Sequence, residues 1–416
     1  MPSLLIKNAS IKGENFDILV EDKVIKDIRK GISLRSCDKI DAKGLKAIVP
    51  TFANMHTHSA MSLLRGYADD MPLKEWLEEK IWPAEAKLTE DDIYWGTKLA
   101  CLEMIKTGTT FFNDMYFFPE ASARAAEEMG LRALIGLVVF DFSANGRPQA
   151  IEEKYKTLRK MKSDLVDFAI APHSIYTVEE ENFRWAAEFA KKNRAFLHTH
   201  LSETMNEIQE CVAKKKLRPA EYLNKIGAIH DKTILAHSVW LNDDEIEIIG
   251  RARATVVNNP VSNLKLAVGE IFPYTKLKNA GANITIGTDG DSSNNNLDMF
   301  EEIKIASLMQ KHKDRNAASM PAFEALRCGS KNAYSLLGIN AGIIKKGALA
   351  DFCLVDLTKT AFIPGFSVES DLVYSANGDC VTDVVCNGKI LMRDGIVEGE
   401  DDIKYHARLA IKKKKL

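Results

Sequence analysis

Apolar residues in this chain come in short runs, and the runs alternate with longer amphipathic stretches. Between about residues 51 and 341 the apolar or β-branched runs fall at 48–55, 109–115, 131–140, 166–172, 195–200, 233–239, 254–258 and 283–288. Between most of them lie segments of helical composition, at 91–106, 120–129, 151–161, 179–192 and 243–249. Strand-like and helix-like pieces in alternation predict a parallel sheet with helical crossovers. Eight such units in this span fit an α/β fold of the (β/α)8 TIM-barrel type, which needs about 250 residues or more. A doubly wound open sheet is the alternative, but it usually carries a glycine-rich phosphate turn after its first strand. Here the first strand runs into histidines.

Both ends of the chain read differently. Residues 4–8, 17–20, 23–28 and 39–41 are short β-like pieces broken by Gly13, Gly31 and Gly44; residues 350–355, 381–386 and 389–392 resemble them. Asn387-Gly388 offers a two-residue hairpin turn. The pattern predicts a small composite β-sandwich domain from residues 1–50 and 342–416, flanking a barrel of 51–341.

Composition narrows the class. The chain has 416 residues, 46% hydrophobic and 27% charged, with net charge −2. Those are values of an ordinary globular protein, and they supply no basic field for nucleic acid. Seven scattered cysteines, never spaced C-x-x-C, fit free thiols in a reducing cytoplasm rather than a disulfide framework or a structural zinc knot. The opening residues lack a long apolar core, and no stretch approaches a membrane span, so no signal peptide or membrane partner is expected. The expectation is a cytoplasmic homo-oligomer. The run Lys412-Lys413-Lys414-Lys415 reads as a frayed, solvated end.

Candidate chemistry sits where the strands end. His56-Thr57-His58 closes the first apolar run, and His198-Thr199-His200 closes the fifth. Residues i and i+2 of a strand share a face, so both imidazoles of such a motif can aim into one cavity. A catalytic metal needs nitrogen ligands converging from one side with a position left for water. Reading the strand ends in order adds Asn113, Asp114, His173, His237, Asn259 and Asp289. Six of nine histidines lie in or at the end of these runs, which a purely solubilising distribution would not produce. Each alone has a structural alternative. His173 can be a turn histidine, His237 a satisfied barrel histidine, and Asp289, before Gly290, a turn former.

These residues resemble the amidohydrolase superfamily, and within it the cytosine-deaminase-like branch containing the 5-methylthioadenosine/S-adenosylhomocysteine deaminases. The resemblance rests on Met55-His56-Thr57-His58, Met61 to Gly66, Trp82-Pro83-Ala84-Glu85, Asn113-Asp114-Met115-Tyr116 and Pro172-His173-Ser174. It continues through His200-Leu201-Ser202-Glu203-Thr204, Ala236-His237-Ser238, Asn259 to Leu266, and Gly287-Thr288-Asp289-Gly290. It covers essentially the whole chain.

The resemblance implies one divalent metal, zinc or iron, held by His56, His58, His200 and Asp289. It also implies hydrolytic deamination of a small-molecule nucleoside of adenosine type. Glu203 would be the proton shuttle, His237 would hydrogen-bond the attacking oxygen, and Asp289 would take the proton from water. Glu85 would accept from ribose hydroxyls, and His173 would touch the purine or ribose. Read alone, Glu85 is a surface glutamate and Glu203 an acid at a helix start. Trp76 and Trp82 serve equally as cavity walls or core. Relatives that take S-adenosylhomocysteine carry an arginine near the end of the third strand. Here residues 134–140 have none, leaving Arg147 as the candidate carboxylate partner. Hydrolysis of a guanine- or triazine-type ring is the enzymatic alternative. A metal-free scaffold is the alternative outside enzymes, and it predicts missing ligands where none is missing.

Overall fold

The strands divide between two sheets. The computed structural model describes residues 3–34 and 36–414; Met1, Pro2, Arg35, Lys415 and Leu416 lie outside them. In chain order the strands are β1 (Leu4–Ile11), β2 (Glu14–Glu21), β3 (Val24–Arg29), β4 (Asp38–Asp41), β5 (Lys46–Pro50), β6 (Phe52–Thr57), β7 (Thr109–Met115) and β8 (Arg132–Val139). They continue as β9 (Val166–Pro172), β10 (Leu197–Leu201), β11 (Thr233–His237), β12 (Thr255–Asn258), β13 (Asn283–Ile286), β14 (Phe352–Asp356), β15 (Val381–Cys386) and β16 (Lys389–Met392).

Strands β6 to β13 form a parallel sheet in strict chain order. Its two edges meet through a parallel bridge between Thr57 and Asp289, which closes the predicted barrel. Asn54 reinforces the seam: its amide donates to the Thr288 hydroxyl at 2.7 Å and its carbonyl accepts the Thr288 N–H at 3.0 Å. The backbones approach so closely there that a Cβ on Gly287 would lie 2.7 Å from the His56 nitrogen. Only glycine permits that contact.

The second sheet runs β16-β15-β14-β5-β1-β2-β3, with β4 also paired to β1, so both chain ends build it. Ile6, Ile18, Ile25, Phe352, Leu354 and Val385 form its core, separate from that of the barrel. Asn387 and Gly388 both adopt positive φ in the β15–β16 turn, as the hairpin reading requires. Arg132 pins this sheet to the barrel. Its guanidinium, 3% exposed, meets the fully buried Asp351 carboxylate at 2.6 Å and the Asn387 side-chain oxygen at 2.9 Å.

Two expectations need correction. The run 48–55 is not one strand: β5 pairs with β14 in the composite sheet, whereas β6 starts the barrel. Side chains are buried on both sides of the junction at Thr51, so hydrophobicity does not mark the change of sheet. The lysine run is not a frayed end through Lys414. It is the last turn of the helix Glu400–Lys414, where Lys414 Nζ lies 2.9 Å from Asp92, itself mostly buried. Ala407 and Ala410 pack that helix against Leu63 of the barrel. Among the described residues, no helix is long and apolar enough to cross a membrane.

Candidate metal centre and active site

The C-terminal ends of the barrel strands converge on one point. His56 lies in β6, His58 just beyond it, His200 in β10, and Asp289 three residues past β13. One ligand atom from each of the four lies within 4.8 Å of the others.

The histidines share a design. Nδ1 of His58 lies 2.6 Å from the Met115 carbonyl, Nδ1 of His200 lies 2.7 Å from the His173 carbonyl, and Nδ1 of His56 lies 3.0 Å from His198 Nε2. Each Nε2 is thereby left to face the centre. Outer partners of this kind fix the tautomer and ring orientation of metal-ligating histidines. Nε2 of His56 is buried without a hydrogen-bond partner. Asp289 is oriented in the same way: Ser262 and Ser293 hydroxyls donate to Oδ2 at 2.7 and 2.9 Å, while Oδ1 lies 3.3 Å from His56 Nε2 and 3.1 Å from His58 Nε2. Burial alone would raise the Asp289 pKa, but the two imidazoles outweigh it and hold it well below the usual range. An orphaned buried nitrogen beside two more imidazole nitrogens and an ionised carboxylate fits zinc or ferrous iron.

Around this centre stand the other expected residues. Glu203 is 7% exposed, and its Oε1 is 3.9 Å from His237 Nδ1. Burial raises the Glu203 pKa, and the Asp289 charge adds to the effect against the opposing pull of His237. His237 Nδ1 is 2.8 Å from Asn263 Oδ1. His173 lines the cavity, its Nδ1 bonded to the Ser174 and Thr177 hydroxyls, and burial keeps the ring neutral by lowering its pKa to about 3. Glu85, on the helix Trp82–Glu85, also lines the cavity, with its pKa raised by burial to about 7. Trp76 and Trp82 are in the wall as well. Arg147 is not brought to the cavity: its guanidinium turns back onto the Asp141 carbonyl.

Several contributors act behind the centre, and His198, which its motif offered as a second inward imidazole, lies outside the ligand group with its Nε2 against His56 Nδ1. His198, Asn263, Ser262 and Ser293 act through the residues they hold. Glu207 accepts the Ser202 and Glu203 backbone N–H groups at 2.9 and 2.8 Å and so fixes the chain that carries Glu203. Its spacing, four residues after Glu203, was the available signal. Ser202, His237, Ser238 and Asp289 all adopt positive φ, at 50°, 67°, 51° and 64°. Each such non-glycine residue costs on the order of 1–3 kcal/mol, a strain characteristic of functional sites.

The cavity enclosed by these groups measures about 510 Å³, within the range of small-molecule sites. His58, His173, His200, His237, Asp289 and Glu203 line it, with Phe117, Phe140 and Phe142 among its other walls.

Comparison with known proteins agrees with this arrangement. The model of the amidohydrolase family matches residues 47–391. A 5-methylthioadenosine/S-adenosylhomocysteine deaminase of Archaeoglobus fulgidus is 45% identical over 96% of this chain and 95% of its own length. A 5'-deoxyadenosine deaminase of Methanoregula boonei is 44% identical over 97% and 93%. The crystal structure of an adenosine deaminase from Xanthomonas campestris, with zinc bound, superposes with a TM-score of 0.94 at 32% identity, covering 100% of this chain and 99% of that one. With the family model spanning most of its length and these relatives aligned nearly end to end, the chain belongs to the amidohydrolase family, as a hydrolytic deaminase.

Proposed function

We propose that the enzyme deaminates adenosine-type nucleosides at C6, releasing ammonia and leaving the inosine analogue, with 5'-deoxyadenosine, 5-methylthioadenosine and adenosine as the substrates to be accepted. The observation that carries this reading is a buried acid, Glu203, beside a three-histidine, one-carboxylate centre in a cavity of nucleoside size. The relatives at 45% and 44% identity support the substrate class.

In this reading His56, His58, His200 and Asp289 hold one divalent metal, and the zinc in the Xanthomonas structure favours zinc. When bound, such an ion lowers the pKa of water from ~15.7 toward about 7 and so supplies a nucleophile at neutral pH. Asp289, with Oδ2 held by two serine hydroxyls and Oδ1 facing the histidines, is the carboxylate placed beside that water to take its proton. His237, tethered through Nδ1 to Asn263, keeps Nε2 for the oxygen added at C6. Glu203, whose carboxyl is pushed toward the protonated form by burial, donates to the ring nitrogen beside C6 and makes that carbon electrophilic. As the new C–O bond forms and the C–N bond breaks, a proton passes to the amine and ammonia departs. Glu85 accepts from the ribose hydroxyls, and His173 contacts the purine or ribose.

Ammonia release from purified, zinc-loaded protein tests the proposal, with 5'-deoxyadenosine, 5-methylthioadenosine, adenosine, guanine and a chlorotriazine as the panel. Turnover of the adenosine derivatives with formation of the inosine analogue is expected. Turnover of guanine or the triazine alone would overturn it.

A further inference from the structure

Strand β8 and the segment after it line the cavity mainly with apolar side chains, Leu137, Val138, Phe140, Phe142 and Ile151, beside the uncharged polar Ser143 and Asn145. Among the described residues, one lysine or arginine stands in the wall, Lys154 of the helix Pro148–Leu158. That cation is already engaged. Its Nζ lies 3.2 Å from Glu120 Oε1, and the two side chains are only 31% and 32% exposed. Oε2 of Glu120 is buried with no hydrogen-bond partner. Lys154 therefore neutralises Glu120, and the pair presents no net positive charge to a ligand.

We propose that the Lys154–Glu120 pair is a specificity element for the 5'-substituent: it favours nucleosides whose 5'-substituent is uncharged over those that carry a carboxylate there. The inference rests on the adenosine-type reading above. In that reading C6 lies at the metal centre and the sugar at His173, whose ring is 5.0 Å from Phe140, itself 4.6 Å from Phe142, so the 5'-substituent is directed toward this wall. A methyl or thioether packs against Phe140 and Phe142 at no electrostatic cost. A carboxylate must shed water among aromatic rings. It must also compete with Glu120 for one ammonium while being repelled by that same glutamate. Glu120, which does not itself line the cavity, is a positioning residue that acts through Lys154.

The test is the ratio of kcat/KM for 5-methylthioadenosine to that for S-adenosylhomocysteine, in the zinc-loaded parent, Glu120→Gln, Lys154→Met and the double variant, with metal content and Tm recorded for each. The parent is expected to favour methylthioadenosine. Glu120→Gln frees the ammonium and narrows the ratio about tenfold, the size of a charge-assisted hydrogen bond. Lys154→Met leaves Glu120 uncompensated and widens the ratio, and in the double variant the gain from Glu120→Gln disappears. A parent that prefers S-adenosylhomocysteine, or a ratio indifferent to Glu120→Gln and to Lys154→Met, overturns the role of the pair while leaving the adenosine-type reading intact. Absence of turnover with either nucleoside overturns both.

Discussion

Asp289 donates its backbone N–H to the carbonyl of His56 at 2.9 Å. The same two residues bring the ends of the barrel's sheet to the metal centre. Closing the barrel and assembling the ligand set are thus one event. An ion bound by these residues would hold first and last strand together through side chains, as this bond does through the backbone. Binding only to the closed state must stabilise it. Chelation is expected to abolish activity and lower Tm, and one equivalent of zinc per chain should restore both. Substituting His56 or His200 by Ala should lower metal content and turnover together. Full activity in a metal-depleted sample would falsify the assignment of the centre.

His198 supports the centre without belonging to it. Removing its contact to His56 Nδ1 (3.0 Å) frees that ring to turn. His198→Ala is expected to weaken metal retention about 10–100-fold, the usual cost of an outer-shell partner. Competition with a chromogenic chelator measures it, and an unchanged affinity would assign His198 to packing alone.

For Glu203→Gln the expectation is a variant that keeps its metal and its substrate affinity but loses kcat by roughly 10²–10⁴-fold. Glutamine keeps the shape and cannot deliver the proton. Turnover within a few-fold of the parent would move the shuttle to another group, with His237 next in reach.

Glu207 gives a pH prediction. Burial raises its pKa from 4.5 to about 7 in the folded protein, against the pull of the two backbone N–H groups it accepts. Between those values the folded state keeps a proton that the unfolded chain has released, so this group's contribution to stability falls as pH rises from 4.5 to 7. Glu207→Gln has no proton to lose. Its Tm relative to the parent should therefore climb across that interval, and a difference flat with pH would refute the protonated state.

Arg132 and Asp351 test the attachment of the composite sheet. Arg132→Met leaves the Asp351 carboxylate buried without its cation, a loss expected to cost about 3–5 kcal/mol in urea unfolding. A smaller loss than 1 kcal/mol, or about that, would mean water replaces the guanidinium.

The sequence was most legible where chemistry and period coincide. His56, His58, His200 and Asp289 could be found because each ends an apolar run, and strand ends are where barrels place reactive groups. The Asn387-Gly388 turn was legible because its backbone demands those residues. What stayed hidden depends on tertiary contact. Ser262 and Ser293 look like any loop serines until Asp289 lies between them, and Arg147 differs from a cavity residue only by the turn of its side chain toward Asp141. The break at Thr51 inside the run 48–55 stayed hidden because both strands it separates are apolar. The lysine run misled because local composition favours solvent, whereas Asp92 waits more than three hundred residues away in sequence.

The composite sheet also sets an order on biosynthesis. β5 emerges from the ribosome early, yet its antiparallel partner β14 comes only after the whole barrel has been translated. Through that interval β1 to β5 carry an unsatisfied hydrogen-bonding edge next to a nascent barrel, a hazard for pairing with other chains. A chain that terminates before Phe352 can hold every metal ligand and still expose that edge. Premature termination here should end in aggregation, not in a smaller enzyme.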